Sequence, residues 1–336
     1  MSEADCVVEV TRGAAVESLH RVHVAVVDAE GRLRACAGDP DFATYFRSAA
    51  KPLQALPLVE AGAMERYGLT LRELALCCGS HSGSAQHTQV AESILAKGGV
   101  TADLLACGPH PPFDDDARRE LQEAGLEPGR LHNNCSGKHA GMMMLARAHG
   151  WEPEGYHLPE HPVQGRILAE VSRWTQVPEE LIGLGTDGCG VVCFALPLRH
   201  MALSFAALAS AARRGERGPS TVVEAMTTYP EMVAGRGRIC ADLMRQAGGR
   251  LFAKVGAEGV YCVGIPGAEL GIAIKVEDGA ARAVAPAIVS ILRELDLIAE
   301  DDFGALHGHV YPDVVNTRGE TVGQIRPRVR LRVPDA

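Results

Sequence analysis

"YFRSAAKPLQALPLVEAG", residues 45–62, puts Ser48 and Lys51 three positions apart at the start of a predicted helix whose remaining residues are mostly apolar. Positions i and i+3 share one helix face, so hydroxyl and amine can meet. A lysine held there loses hydration and tends toward the neutral form, which can accept a serine proton. The alternative is an exposed lysine near a helix N-terminus. The segments on either side of this stretch decide between the two.

On the N-terminal side, CVVEVTRG (6–13) and HRVHVAVVDAEGRLRACAGD (20–39) read as strands, the second turning back at Asp28-Ala29-Glu30-Gly31. Far along the chain, FAKVG (252–256), GVYCVGI (259–265) and ELGIAIKVED (269–278) are short, β-branched and split by Gly-containing turns, which predicts an antiparallel meander. RVRLRV (328–333) reads as a final strand. Between these ends the period becomes helical, over 85–97, 114–124, 137–149, 160–176, 199–214 and 220–228, with one further helix over 285–300. Val163, Ile167, Val171 and Trp174 form an i, i+4, i+8, i+11 stripe that predicts a core face. The expected architecture is α/β of the α+β kind, with an antiparallel sheet drawn from both chain ends. A sheet lobe (about 1–45 and 250–336) and an inserted helical lobe (about 46–249) make one unit of residues 1–336, with a cleft between the lobes as the natural site.

Composition narrows the function. The chain has 336 residues, 46% hydrophobic and 22% charged, as in ordinary soluble proteins. Net charge is −9 with no basic run, and aromatics are 4%, so nucleic acid is not an expected partner. The start, MSEADCVVEV, lacks the basic and apolar regions of a secretory signal. No apolar run approaches the roughly 18 residues of a membrane span. The expected location is therefore cytoplasmic, without membrane contact. Ten cysteines are scattered without a Cys-x-x-Cys pair, as for free, packed thiols in a reducing compartment.

Four Gly/Ser/Cys-rich knots interrupt the periodic segments. The first holds Ser48 and Lys51; the others are CCGSHSGSAQHT (77–88), HNNCSGKHAGMMM (132–144) and GTDGCGVV (185–192). Polar, glycine-rich loops flanked by apolar segments commonly bring backbone close to a ligand. In the second knot Ser84 suits an N-cap and Ser80 suits proton relay, with His81 and His87 as alternative bases. In the third, Cys135 precedes a helix and lies near Lys138, both of which favour thiolate, so it is a nucleophile, a metal ligand or an inert thiol. The fourth carries Asp187 and Cys189; Asp187 holds a substrate ammonium or caps a turn. Finally, Lys254 sits inside the predicted meander, where a buried lysine needs a partner or a function.

Lys254-Val255-Gly256 resembles the Lys-Thr-Gly strand of serine β-lactamases and penicillin-binding proteins, which also carry an early Ser-x-x-Lys. Taken together, "FRSAAKPLQALP", "CCGSHSGSAQHT", "HNNCSGKHAGMM", "GTDGCGVV" and "AKVGAEGVY" resemble the rhizobial-type L-asparaginases, the asparaginase II family with a serine β-lactamase-like fold. These stretches run from 46 to 261, and the flanking strands fit the same pattern. The resemblance implies hydrolysis of L-asparagine to L-aspartate and ammonia by a homodimer. It implies two Ser-Lys tandems, Ser48 with Lys51 and Ser80 with Lys254, and one Zn²⁺ per chain on Cys135, Lys138 and Cys189. In this reading Lys51 accepts the proton of Ser48, which attacks the amide carbon, and Ser80 relays a proton to departing ammonia. Charge complementarity adds Arg47 for the substrate carboxylate and Asp187 for its ammonium. Relative to β-lactamases, Ser80-His81-Ser82 replaces Ser-x-Asn and Val255 replaces Thr, which points away from penicillin turnover. The competing readings are a penicillin-recognising acyl-enzyme and a non-catalytic zinc or redox-sensing protein built on Cys135 and Cys189.

Overall fold

The computed structural model describes residues 5–334. Two compact units share the chain: a sheet unit, built from the residues up to Ala49, Leu196–Ser210 and the residues from Gln246 on, and a helical unit, Ala50–Ala195 with Ala211–Arg245.

In the sheet unit the strands of the eight-stranded sheet are β1 (Asp5–Arg12), β2 (Ala15–Asp28), β3 (Leu33–Ala37), β4 (Phe252–Val255), β5 (Val260–Ile265), β6 (Leu270–Val276), β7 (Asp313–Val315) and β8 (Thr321–Arg330). They pair antiparallel in the order β7-β8-β1-β2-β6-β5-β4, with β3 beside the second half of β2. Both chain ends therefore meet in one sheet, as the Val-rich patterns predict. Strand β2 is central: Val22, Val24 and Val26 alternate with Ala25 and Val27, all buried, so its second half is covered on both faces. The first part of helix Leu198–Arg213 lies so close to β6 that a Cβ on Gly271 would overlap the Ala202 carbonyl. Glycine there permits the close approach. Helix Val284–Glu294 packs against β8 and β1.

Two expectations are corrected. The helix expected over 285–300 ends at Glu294, because Asp296 takes a left-handed φ of 54° and Leu297 N–H turns back to Leu292 O at 2.9 Å; a separate helix, Glu300–Ala305, follows. The last strand starts at Thr321 rather than Arg328, because the turn at 316–320 folds it onto β7, and it stops at Arg330, leaving Arg332 a lone bridge to Cys36. Beyond Gln324 the outer rim of β8 pairs with no strand among the described residues, and Arg326, Pro327, Arg328 and Arg330 occupy it.

The helical unit contains α1 (Lys51–Glu60), α2 (Leu71–Cys77), α3 (Ala85–Lys97), α4 (Ser136–His149) and α5 (Pro162–Thr175), with Arg217–Thr228 beside α1 and α2. Thr70 and Glu73 cap α2 reciprocally, Thr70 N–H to Glu73 Oε2 at 2.7 Å and Glu73 N–H to Thr70 Oγ1 at 3.3 Å. Ser84 precedes α3, but its hydroxyl pairs with the His87 ring at 2.6 Å instead of capping the backbone. Gly137 and Gly141 let α4 press on α2: Cβ atoms there would stand 2.5 Å from Leu76 O and 2.9 Å from Cys77 Sγ. This close contact brings the start of α4 against the loop that follows α2. The stripe Val163, Ile167, Val171, Trp174 is buried, as are Met142, Met143 and Met144. All ten cysteines are free and buried. No helix among the described residues is long and apolar enough to cross a membrane.

Candidate active site

In the helical unit, Lys51 opens α1 and is 1% exposed. Its Nζ donates to Gly79 O at 2.5 Å, to Ser80 Oγ at 2.9 Å and to Cys135 Sγ at 3.2 Å. Ser80 follows α2 and Cys135 precedes α4, so the α2–α4 contact brings hydroxyl and thiol to one amine. One turn into α4, Lys138 Nζ donates to Cys189 Sγ at 2.9 Å. Cys189 sits in a turn closed by Asp187 N–H to Val191 O at 2.8 Å, with Asp187 Oδ1 accepting from Gly188 N–H at 2.8 Å. The four knots of the sequence thus contribute Lys51, Ser80, Cys135 with Lys138, and Asp187 with Cys189. The contact between Lys51 and Ser80 is one that sequence spacing did not offer.

The neighbouring Cys189 holds the Cys135 thiol well below its ordinary pKa, with Lys51 and Lys138 adding to the effect against burial; Cys135, with burial, pushes Cys189 up. Burial alone would depress the Lys138 ammonium, but Cys189, Cys135 and Asp187 outweigh it and hold its pKa above the ordinary lysine value.

Three buried histidines frame this cluster, and the bond patterns of His81 and His87 fix their tautomers. Ser136 Oγ gives its proton to Leu131 O (2.9 Å), so His81 Nε2–H donates to Ser136 Oγ (2.9 Å) and His81 Nδ1 accepts from Gly83 N–H (3.2 Å). His87 Nε2–H donates to Glu231 O (2.9 Å) and Nδ1 accepts from Ser84. His139 Nδ1 shares a hydrogen bond with the Tyr156 hydroxyl at 2.5 Å. All three are neutral, and burial pushes His81 and His139 well below the usual histidine range, His87 less so. Both ring nitrogens of His81 and of His87 are taken up by these bonds, whereas His139 Nε2 has no partner among the described residues.

In the sheet unit, Ser48 lies half-buried in the 3₁₀ turn Arg47–Ala50. Arg47, just before it, has a φ of 51°, a conformation that non-glycine residues adopt at a cost. Lys254 is fully buried in β4, across from Cys262, and its Nζ donates to Val255 O at 2.7 Å. The sequence reading missed Tyr156 and Arg238, a tyrosine and an arginine in irregular segments with no periodicity or spacing to mark them.

The family model for L-asparaginase II matches residues 8–327. Among solved structures, Mglu in its native form is similar at 18% identity over 84% of this chain and 65% of that chain, with a TM-score of 0.44. A β-lactamase from Mycobacterium bovis is similar at 16% identity over 86% of this chain and 95% of that chain, with a TM-score of 0.42. This chain thus spans 65% of the length of Mglu. No curated protein matches it.

Proposed function

The chain belongs to the L-asparaginase II family, and from that membership we propose that it hydrolyses the side-chain amide of L-asparagine to L-aspartate and ammonia through a Ser-Lys acyl-enzyme. The observation that carries this reading is the Lys51 amine, buried and bonded to the Ser80 hydroxyl at 2.9 Å. A lysine so placed can move a proton to or from a serine. In the proposed reaction Lys51 acts as the neutral amine: Ser48 Oγ bonds to the amide carbon and its proton passes to the free lone pair of Lys51. The C–N bond then breaks, and Ser80 passes a proton to the leaving nitrogen and recovers one from the lysine side. Water hydrolyses the aspartyl ester and restores Ser48. Lys254 is the second lysine of this apparatus, and Arg47 and Asp187 grip the substrate carboxylate and ammonium.

Ammonia release from asparagine and glutamine by the purified protein tests the reading. Asparagine should be hydrolysed, with glutamine poorer because one methylene displaces the reacting carbon; equal kcat/KM for both removes the selectivity claim, and no release from either removes the reading. Ser48→Ala should abolish kcat in a folded protein. Near-wild-type kcat would pass the nucleophile to Ser80.

The proposal includes one zinc per chain. Cys135, Cys189 and Lys138 fit it: two sulfurs, each bonded by a lysine amine, with the Lys138 amine 2.9 Å from one of them, make a donor set suited to a soft cation. Against this, Lys138 holds its proton firmly and gains a free lone pair only on losing it. Bound there, zinc would act as a Lewis acid that orients substrate. Cys135→Ala and Cys189→Ala should each purify with less than half the zinc of the wild type; full metal in either would sink the assignment. A homodimer is part of the same proposal, and a monomer mass by light scattering would refute it.

A further inference from the structure

Ser80 is held from two sides. Lys51 reaches its hydroxyl, while its peptide groups are gripped by the segment 232–238: Ser80 N–H donates to Val233 O at 2.8 Å, and Ser80 O accepts from Arg238 Nη1 at 2.6 Å. Arg238 Nη1 also donates to Ala234 O at 3.1 Å, and the guanidinium lies over the Phe113 ring, 5.3 Å from its centroid. The approach of this segment is tight. Gly235 has a φ of 119°, and a Cβ on it would overlap the Ser82 hydroxyl.

The guanidinium is mostly buried, and among the described residues no carboxylate pairs with it. Seven residues further on, Arg245 behaves in the usual way, bonding Glu231 and Asp242 at 2.8 and 2.7 Å near the surface. A cation kept in a buried place without an acid carries a desolvation cost that a neutral side chain would avoid. Burial indeed lowers its pKa from the ordinary arginine value. What the arginine gains is one nitrogen, Nη1, that reaches two carbonyls while the planar guanidinium face rests on a ring, a combination that lysine and glutamine reproduce only in part.

We propose that Arg238 is a positioning residue for the hydrolysis: by fixing the Ser80 carbonyl against Ala234 and Phe113, it aims the Ser80 hydroxyl at Lys51. This rests on the role given to Ser80 above. Arg238 touches no reacting atom. A shift of about 1 Å in a reacting group costs on the order of 100-fold in rate, and the grip of Arg238 prevents that shift.

The test compares Arg238→Met, Arg238→Lys and, as control, Arg245→Met. Each is assayed for kcat and KM with asparagine, for the melting temperature, and by crystal structure for the Lys51–Ser80 separation. Arg238→Met should lower kcat roughly 100-fold with KM nearly unchanged, and its structure should show Lys51 and Ser80 outside hydrogen-bond distance. Arg238→Lys should recover a tenth or more of the activity, and Arg245→Met should match the wild type. Wild-type kcat in a folded Arg238→Met, or an unmoved Ser80 in its structure, overturns the proposal. Should Arg238→Met fail to fold, Arg238→Lys decides: a lengthened Lys51–Ser80 contact with reduced kcat, or an intact contact with kcat retained, supports the proposal, whereas reduced kcat with the contact intact, or full kcat with Ser80 displaced, overturns it. If the wild type releases no ammonia from asparagine, the proposed substrate falls, while the Lys51–Ser80 separation in the Arg238 variants still decides the positioning role.

Discussion

The two units bury different chemistry. In the sheet unit the strands meet through Val22, Val24, Val26, Ile272 and Ile274, and its buried lysines reach nearby carbonyls, Lys254 donating to Val255 O at 2.7 Å and Lys275 to Glu258 O at 2.5 Å and Val276 O at 2.8 Å. The helical unit buries Lys51, Lys138, His81, His87, His139, Ser80 and Ser136 together with the thiols of Cys135 and Cys189. An apolar interior gains stability with every residue covered, whereas a polar one gains only when each group finds its partner. The difference teaches where tolerance ends: volume governs the sheet unit, and bond inventory and protonation govern the helical unit.

The sharpest way to break the comparison is Lys51→Met. It removes three bonds at once while keeping the bulk, so turnover should fall at least about 1,000-fold, measured as ammonia release, in a protein whose circular dichroism is unchanged. Retained turnover would make the polar interior mere packing. Next, Ile274→Ala in the sheet unit should cost about 2–5 kcal/mol in urea unfolding while kcat per folded molecule stays put; a loss of kcat without a loss of stability would reverse the division of labour.

Acid should act mainly through the helical unit. His81, His87 and His139 have folded pKa values below the unfolded value, so above about pH 6.5 both states are neutral and nothing is lost. As pH falls below that value, the unfolded chain takes up protons the folded one refuses. Stability should then drop by as much as about 1.4 kcal/mol per pH unit for each such histidine, until the folded pKa is reached. Urea midpoints from pH 7.5 to 5 would check this, and a flat line would show that the rings ionise freely in place. The smallest effect should come from Arg245→Ala, a half-exposed ion pair worth at most about 1 kcal/mol and readable as a thermal shift of a few degrees or less.

The same contrast explains what the sequence disclosed. Strand patterns and the Val163–Trp174 stripe are local signals of period 2 and 3.6, so β1, β2, the meander and α5 were legible. The break at Asp296 was not, because a non-glycine residue in a left-handed turn leaves no compositional mark. In the site, Lys51 was found through its Ser-x-x-Lys spacing, and Cys135, Lys138 and Cys189 through the family motifs. The bond from Lys51 to Ser80 spans 29 residues and depends on Gly137 admitting α2, which no spacing rule encodes. Arg238 was invisible for the same reason: its partners are carbonyls, and carbonyls belong to every residue.

One feature of the sheet unit bears on handling the protein in concentrated solution. A strand with an uncovered rim invites a second molecule to add its own strand and seed a fibril. Here the rim of β8 past Gln324 repels such growth: like molecules would bring Arg326, Arg328 and Arg330 against their own copies, and Pro327 lacks the N–H that a cross-molecular ladder needs. The rim works as a solubility guard, and a variant with valines at these arginines and at Pro327 should turn cloudy on standing where the parent stays clear.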